Sequence, residues 1–351
     1  MRKSIKYRIV SAVILIACVV TAFAIYQQNN KKNNTEEASV QIFAMDTVMS
    51  VSAVGKDAQE AVDAASTEIN RLDKLLSAEN KDSEIYQLNA SGDAVVSEET
   101  LQLIQRAQEI SKSTEGAFDI TIYPLMQAWG FTTQNFRVPE ESEIEDLLTH
   151  VGSDKVSIEE ETNEVSLAEG TKIDLGGIAK GYTSAHLAEL FTQYDLQSAT
   201  ISLGGNVQMY GSKTDGENWN IAIKDPSDPD SDSKFLGIVS IKDGAVITSG
   251  GYERYFEEDG VTYHHILDPS TGYPSDRGVT SVTIVSSDGT LADGLSTSLF
   301  VMGIDKASAY WRQHSDEFDF VIMTEEGKLY ISEGLEGKFQ SDYEYEVVKA
   351  E

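Results

Sequence analysis

Hydrophobic and polar positions change period several times along this chain of 351 residues. From Ala58, the apolar residues Ala61, Val62, Ala65, Ile69, Leu72, Leu75 and Leu76 recur at three- and four-residue steps, which predicts an amphipathic helix. Ser97 caps a second helix, carried by Leu101, Ile104, Ala107 and Ile110 and stopped at Gly116. Residues 142–150 read as a short third helix. Residues 40–54 alternate loosely, as one strand containing Met45-Asp46-Thr47. From Val156 onward strands dominate, at 164–167, 199–203, 219–223, 236–241, 245–248 and 279–285. Two hairpins are expected, one turning at residues 257–260 and one closing around Glu326-Gly327. Two later helices are expected at 182–192 and 292–300, and residues 225–233 read as an exposed loop. Runs of strands broken by few helices predict an α+β fold rather than a doubly wound sheet. One two-lobed domain over residues 37–348 fits the length.

The first 36 residues stand apart from that domain. Arg2, Lys3, Lys6 and Arg8 precede 18 uncharged residues, 9–26, which as a helix would reach about 27 Å, enough to cross a bilayer. Basic residues ahead of the apolar run predict the N-terminus inside and the domain outside. The single cysteine, Cys18, follows Leu15-Ile16-Ala17 in an order resembling a bacterial lipoprotein box, whereas the apolar run continuing through Val19, Val20, Phe23 and Ile25 suits an uncleaved anchor. Both readings place an anchored domain on the outer side of a bacterial cell membrane, with the membrane met through the anchor alone. With no cysteine left in the domain, no disulfide can form within it.

Charge restricts the partners. The formal net charge is -31, and the first 35 residues hold six basic and no acidic side chains, so the rest carries 21 basic against 58 acidic, or -37. Such a surface repels nucleic acid and anionic lipid. It also repels a phosphate-bearing ligand, which would need local cations or a metal to enter.

Against that background the run Lys172-Ile173-Asp174-Leu175-Gly176-Gly177-Ile178-Ala179-Lys180-Gly181-Tyr182 is out of character. It reads as a β-like run that breaks into a glycine turn and enters a helix with an early lysine. Backbone N–H groups, a positive helix end and one ammonium gathered together suit a phosphate; a strand-to-helix turn needing small residues is the other reading. The spacing matches neither the dinucleotide fingerprint nor the P-loop. Lys180 is the one cation that the sequence places by an argument.

Five further polar islands stand out: Ala117-Phe118-Asp119-Ile120-Thr121, Ser202 to Asn206, Thr248 to Arg254, Tyr263 to Pro274, and Ala292-Asp293-Gly294-Leu295-Ser296-Thr297. Asp293 and Thr297 lie four residues apart, on one face if helical, and offer only oxygens, the ligand type of magnesium; Asp293 as a plain helix cap is the alternative. His264 and His265, adjacent on a strand, point to opposite faces, so at most one joins a shared site. No Gly-x-Ser-x-Gly elbow, His-Glu-x-x-His or EF-hand loop is present.

These islands in this order, with Met45-Asp46-Thr47, Leu72-Asp73, Asp82-Ser83-Glu84-Ile85 and Leu88-Asn89, resemble the ApbE family of FAD:protein FMN transferases. The resemblance spans about Phe43 to Ser298 and implies a T-fold-like arrangement of mixed sheets with packed helices. It implies transfer of FMN from FAD to a Thr or Ser hydroxyl of exported target proteins, with Mg2+ required and AMP released. Position by position, it implies FAD contacts at Asp174 and Lys180, with Lys180 near the pyrophosphate. Met45, Ala117, Phe118, Asp119 and Leu267 match positions lining the flavin or adenine parts. The Gly177 carbonyl, Asp293 and Thr297 match a magnesium site, and His265 matches the histidine near the scissile phosphate, the candidate base. Asp46 stands where many members have glycine, Glu79 where an aromatic residue often packs on FAD, and Gly294 where alanine is usual. An FAD pyrophosphatase with the same site, or a flavin-binding lipoprotein without chemistry, are the competing readings.

Overall fold

The computed structural model describes residues 36–351 apart from 214, 230 and 232. The expected anchor and spacer at residues 1–36 lie outside the described residues but for Glu36, which opens a strand. Among those that are described, no helix is long and apolar enough to cross a membrane.

Nine strands form the main sheet: β1 (Glu36–Ala44), β2 (Thr47–Gly55), β3 (Leu196–Leu203), β4 (Asn206–Gly211), β5 (Gly244–Gly250), β6 (Val279–Ser286), β7 (Phe318–Thr324), β8 (Leu329–Ser332) and β9 (Tyr345–Val348). They lie side by side in chain order, antiparallel from β1 to β8, with β9 parallel to β8. Among the described residues, seven α-helices accompany them: α1 (Ala58–Leu76), α2 (Glu84–Ser91), α3 (Glu98–Ser113), α4 (Tyr123–Ala128), α5 (Glu141–Leu148), α6 (Ala179–Leu190) and α7 (Gly289–Gln313). The first six are inserted between β2 and β3, and α7 between β6 and β7. The fold is α+β, as expected.

Period explains the layers. Ala58, Ala61, Val62, Ala65 and Ile69 of α1 are fully buried and pack in one cluster with Met49, Val51 and Ala53 of β2. Leu291, Leu295 and Leu299 of α7 join Ile247, Val282 and Ile284 of β5 and β6 in the largest core. Along β7, Phe320 and Ile322 face that core, while Val321 and Met323 face a second layer. This layer is a small sheet of Trp219–Lys224, Phe235–Ile241 and Phe339–Gln340, which contributes Ile223, Leu236, Val239 and Phe339. The alternation of period two thus serves two apolar neighbours at once.

Several expectations are corrected. Residues 40–54 are a hairpin rather than one strand, because Met45 and Asp46 both take positive φ, 47° and 58°, and close a two-residue turn. A turn with both central residues at positive φ normally announces itself with Asn-Gly or Asp-Gly, and Met-Asp hides it. Residues 172–175 form no strand. The expected helix at 292–300 begins at Gly289 and continues to Gln313, interrupted at Gly303, where φ 75° and ψ 168° leave the helical region. Its cap is Asp288, whose side chain accepts from the Leu291 amide at 3.0 Å, and Asp293 lies a full turn inside. The loop at residues 225–233, between the strands Trp219–Lys224 and Phe235–Ile241, is less exposed than its composition suggests at one end: Asp225 is buried and accepts from Tyr343 Oη at 2.6 Å.

Candidate active site

A cavity of about 1030 Å³ opens where the β1–β2 turn, the N-terminal ends of α6 and α7 and the hairpin Tyr255–Glu258/Val261–His264 meet. Every residue that the resemblance assigns to the site lines it, from Met45 through the 117–119 segment, Asp174, Gly177 and Lys180 to His265, Leu267, Asp293 and Thr297. The islands converge although more than 250 positions separate Met45 from Thr297.

The inner wall is built by close helix approach. Gly181, in the first turn of α6, faces Gly289 at the start of α7, and a Cβ on Gly181 would collide with the Gly289 carbonyl and the Asp293 side chain. That contact brings Asp293 over the end of α6, where its Oδ2 accepts the Gly181 amide at 2.7 Å. Its Oδ1 accepts Asn206 Nδ2 at 2.9 Å, from the first residue of β4. The exposed-amide reading of the glycine junction is corrected in part: one helix N–H is already held by Asp293. Burial pushes the Asp293 carboxyl up while Lys180 draws it down. Ser249, ending β5, bonds Ser296 Oγ at 2.7 Å and lies 3.4 Å from Thr297 Oγ1, so a third island meets the same helix face.

The approach to α6 is fixed without a strand. Asn89 brackets Ile173, accepting its amide at 2.7 Å and donating to its carbonyl at 2.8 Å. The Asp174 amide then donates to the Ile120 carbonyl. A side-chain amide thus does what a partner strand would, which accounts for the Leu88-Asn89 motif. Asp73 likewise accepts the Met45 amide at 2.9 Å and holds the left-handed turn. Asp119 accepts from the Thr121 amide and hydroxyl, capping the short turn at Ile120–Ile122, and burial pushes its carboxyl up.

The outer wall is the hairpin, which turns at Asp259-Gly260 with φ 52° and 79°. Phe256 and Tyr263 anchor it on Trp129, with Tyr263 at 5.3 Å between ring centroids. The two histidines separate as the opposite-face argument requires. His264 Nε2 lies 3.2 Å from the Ser275 carbonyl, and its Nδ1 accepts the Ile266 amide, so both ring nitrogens are occupied away from the cavity. His265 lines the cavity, with Nδ1 3.2 Å from the Arg254 carbonyl. A carbonyl only accepts, so Nδ1 carries the proton and Nε2 keeps its lone pair. Burial, then the neighbouring Arg254 guanidinium, push His265 down to about 3.

Residues 45–322 match the model of the ApbE family. The chain belongs to the ApbE family. It is 35% identical over 286 residues to a FAD:protein FMN transferase of Klebsiella pneumoniae (strain 342), an alignment covering 80% of this chain and 87% of that one. Among solved structures, the ApbE protein of Thermotoga maritima is similar with a TM-score of 0.81 and 36% identity, over 87% of this chain and 100% of that one. The flavin transferase ApbE of Vibrio cholerae gives 0.76 and 28%, over 87% and 99%.

The ApbE-type cavity also contains charged groups to which the sequence alone assigned no role in the site. Arg254 is a second cation beside Lys180, and Glu79 and Glu253 add carboxylates. Glu79 is pushed up by burial and by Asp46 and Asp174, and drawn down by Arg254. A signal for Arg254 existed: taking Asp259-Gly260 as a two-residue turn pairs Glu258 with Val261, and counting back sets Arg254 opposite His265. Among the described residues, the one group of His, Asp and Glu side chains close enough to share an ion is elsewhere, at Glu68, Glu99 and His186. There Arg71 already bonds both carboxylates.

Proposed function

We infer that this chain transfers FMN from FAD to a hydroxyl of target proteins. The observation that carries the reading is the convergence on one cavity of a tautomer-fixed imidazole, a lysine at a helix start and a set of oxygen donors. At about 1030 Å³ the cavity lies at the top of the roughly 300–1,000 Å³ range of small-molecule sites, in keeping with a dinucleotide.

The chain's own groups divide the work. Lys180 binds the diphosphate, and Phe118, Ala117, Met45 and Leu267 supply apolar wall for the rings. His265 takes the proton of a Thr or Ser hydroxyl at Nε2 as that oxygen attacks the FMN phosphorus. The new O–P bond replaces the bridging O–P bond, and AMP leaves with the bond's electron pair. The Gly177 carbonyl, Asp293 and Thr297 suit Mg2+, being oxygen donors only, and Asp293 is a buried carboxylate with no ion-pair partner among the described residues. Its two hydrogen bonds leave lone pairs on both oxygens. When bound there, the ion supplies neutralisation of diphosphate charge. The apolar segment at residues 9–26 and the basic residues before it support an anchored, extracytoplasmic setting and exported acceptors.

Incubating the full chain with FAD, Mg2+ and a candidate exported acceptor tests the reading. Covalent flavin fluorescence on the acceptor, with one AMP per flavin attached, is the expected result. AMP and free FMN alone would make the chain a pyrophosphatase, and unchanged FAD would make it a binder.

A further inference from the structure

The hairpin over the cavity holds two chemically different groups at its base. Tyr255 pairs with His264 as the last ladder rung. One position beyond it the His265 amide donates to the Arg254 carbonyl at 3.0 Å, and His265 Nδ1–H is directed at the same oxygen. Strand register therefore fixes the arginine and the imidazole as neighbours on the cavity wall.

Arg254 is the exception among the arginines of the described residues. Arg71, Arg106, Arg137 and Arg277 each donate to a carboxylate and Arg312 donates to a carbonyl, whereas the Arg254 guanidinium has no hydrogen bond or ion pair within the described residues. In a chain of net charge -31, with carboxylates at Glu79, Asp174 and Glu253 near enough to register its charge, this is unexpected. A five-donor fork facing a cavity without a partner is arranged for a ligand with paired acceptor oxygens. Lys180 and Arg254 act on the same three groups, Asp174, Glu253 and His265, so the two cations address one part of the cavity from different elements.

We propose that Arg254 binds the diphosphate of FAD from the hairpin side, opposite Lys180, and takes up the charge that gathers on the departing AMP phosphate. This deepens the transferase reading and rests on it for the identity of the leaving group. As the acceptor oxygen bonds to the FMN phosphorus, its proton passes to His265 Nε2. The bridging bond's electron pair moves onto the AMP phosphate, within reach of the guanidinium. Because one hairpin presents both groups, the arginine that holds the diphosphate also sets the position of the base.

The test compares affinities of the full chain for FAD, ADP and riboflavin in wild type, Arg254→Gln and Arg254→Lys, with thermal unfolding recorded for each. Arg254→Gln is expected to weaken FAD and ADP by about 10- to 100-fold, the loss typical of a charge-assisted bidentate contact, and to leave riboflavin within about twofold. Arg254→Lys, which keeps the charge and loses the fork, should fall between. FAD and ADP affinities unchanged within twofold, or all three ligands weakening together at unchanged unfolding temperature, would overturn the assignment. Wild type that binds FAD yet attaches no FMN to protein would sink the transferase reading while leaving these binding ratios to decide on Arg254.

Discussion

The two walls of the cavity use their polar groups differently. On the helical wall most polar side chains are mutually engaged, the Lys180 ammonium excepted: Asp293 holds Gly181 and Asn206, Ser249 holds Ser296, and Asn89 holds Ile173. On the hairpin wall His265 keeps a free Nε2, and the Arg254 guanidinium has no partner within the described residues. A wall whose side chains are mutually bonded loses little freedom when a ligand arrives, and so suits holding and orienting. A wall whose donors and lone pairs are uncommitted suits the changes of charge and proton position during transfer.

The largest effect should follow from the hairpin wall. His265→Ala is expected to lower flavin transfer by about 10²–10⁴-fold while FAD binding persists. His264→Ala should instead lower the unfolding temperature, because it removes a ring bonded to Ser275 and packed at 5.4 Å on Phe300. In-gel flavin fluorescence and thermal melts on both variants separate the two, and identical behaviour would erase the contrast between the walls.

On the helical wall, Asp293→Ala should show two losses at once. It leaves the Gly181 amide and the Asn206 side chain unpaired in a buried place, costing about 1–3 kcal/mol for each group. It should also abolish any rise in FAD affinity on adding Mg2+. A variant with native unfolding temperature would show that the mutual bonding of this wall is incidental.

The pH profile sharpens the electrostatic side of the comparison. His265 is held far below the ordinary histidine range, so in the free enzyme it stays neutral throughout the range around pH 5–8. The acidic limb of kcat/KM attributable to it should therefore lie well below pH 6.5. Removing the positive charge in Arg254→Gln favours the protonated ring, so that limb should move to higher pH. A limb unmoved by the substitution would separate the two groups that register places together. The smallest effect is expected at Asp46→Gly, which relieves a left-handed residue at some entropic cost and should change stability by under about 1 kcal/mol.

What the sequence showed, and what it hid, follows from range. Helix α1 and the Ser97 start of α3 were legible because local period and a cap suffice to specify them. The site residues were legible through an ordered set of short motifs resembling those of a family, and the cavity gathers them. The turn at Met45-Asp46 was hidden because its strain is borne by a contact from Asp73, 28 positions away. The second half of α7 was hidden because Gly303 reads as a stop, yet the chain resumes its helix beyond it. Arg254 closes the Thr248 to Arg254 island without a mark of its own, since a cation's significance here depends on having no partner, and partners are a property of the folded chain.

The edge strand β1 has a consequence for how far the cavity wall stands from residue 35. It begins at Glu36, directly after the N-terminal segment, and ends at Ala44 beside Met45 on the cavity wall. Nine extended residues span about 30 Å. The strand therefore sets Glu36 and Met45 at opposite ends, one next to residue 35 and the other on the cavity wall, a strand's length apart.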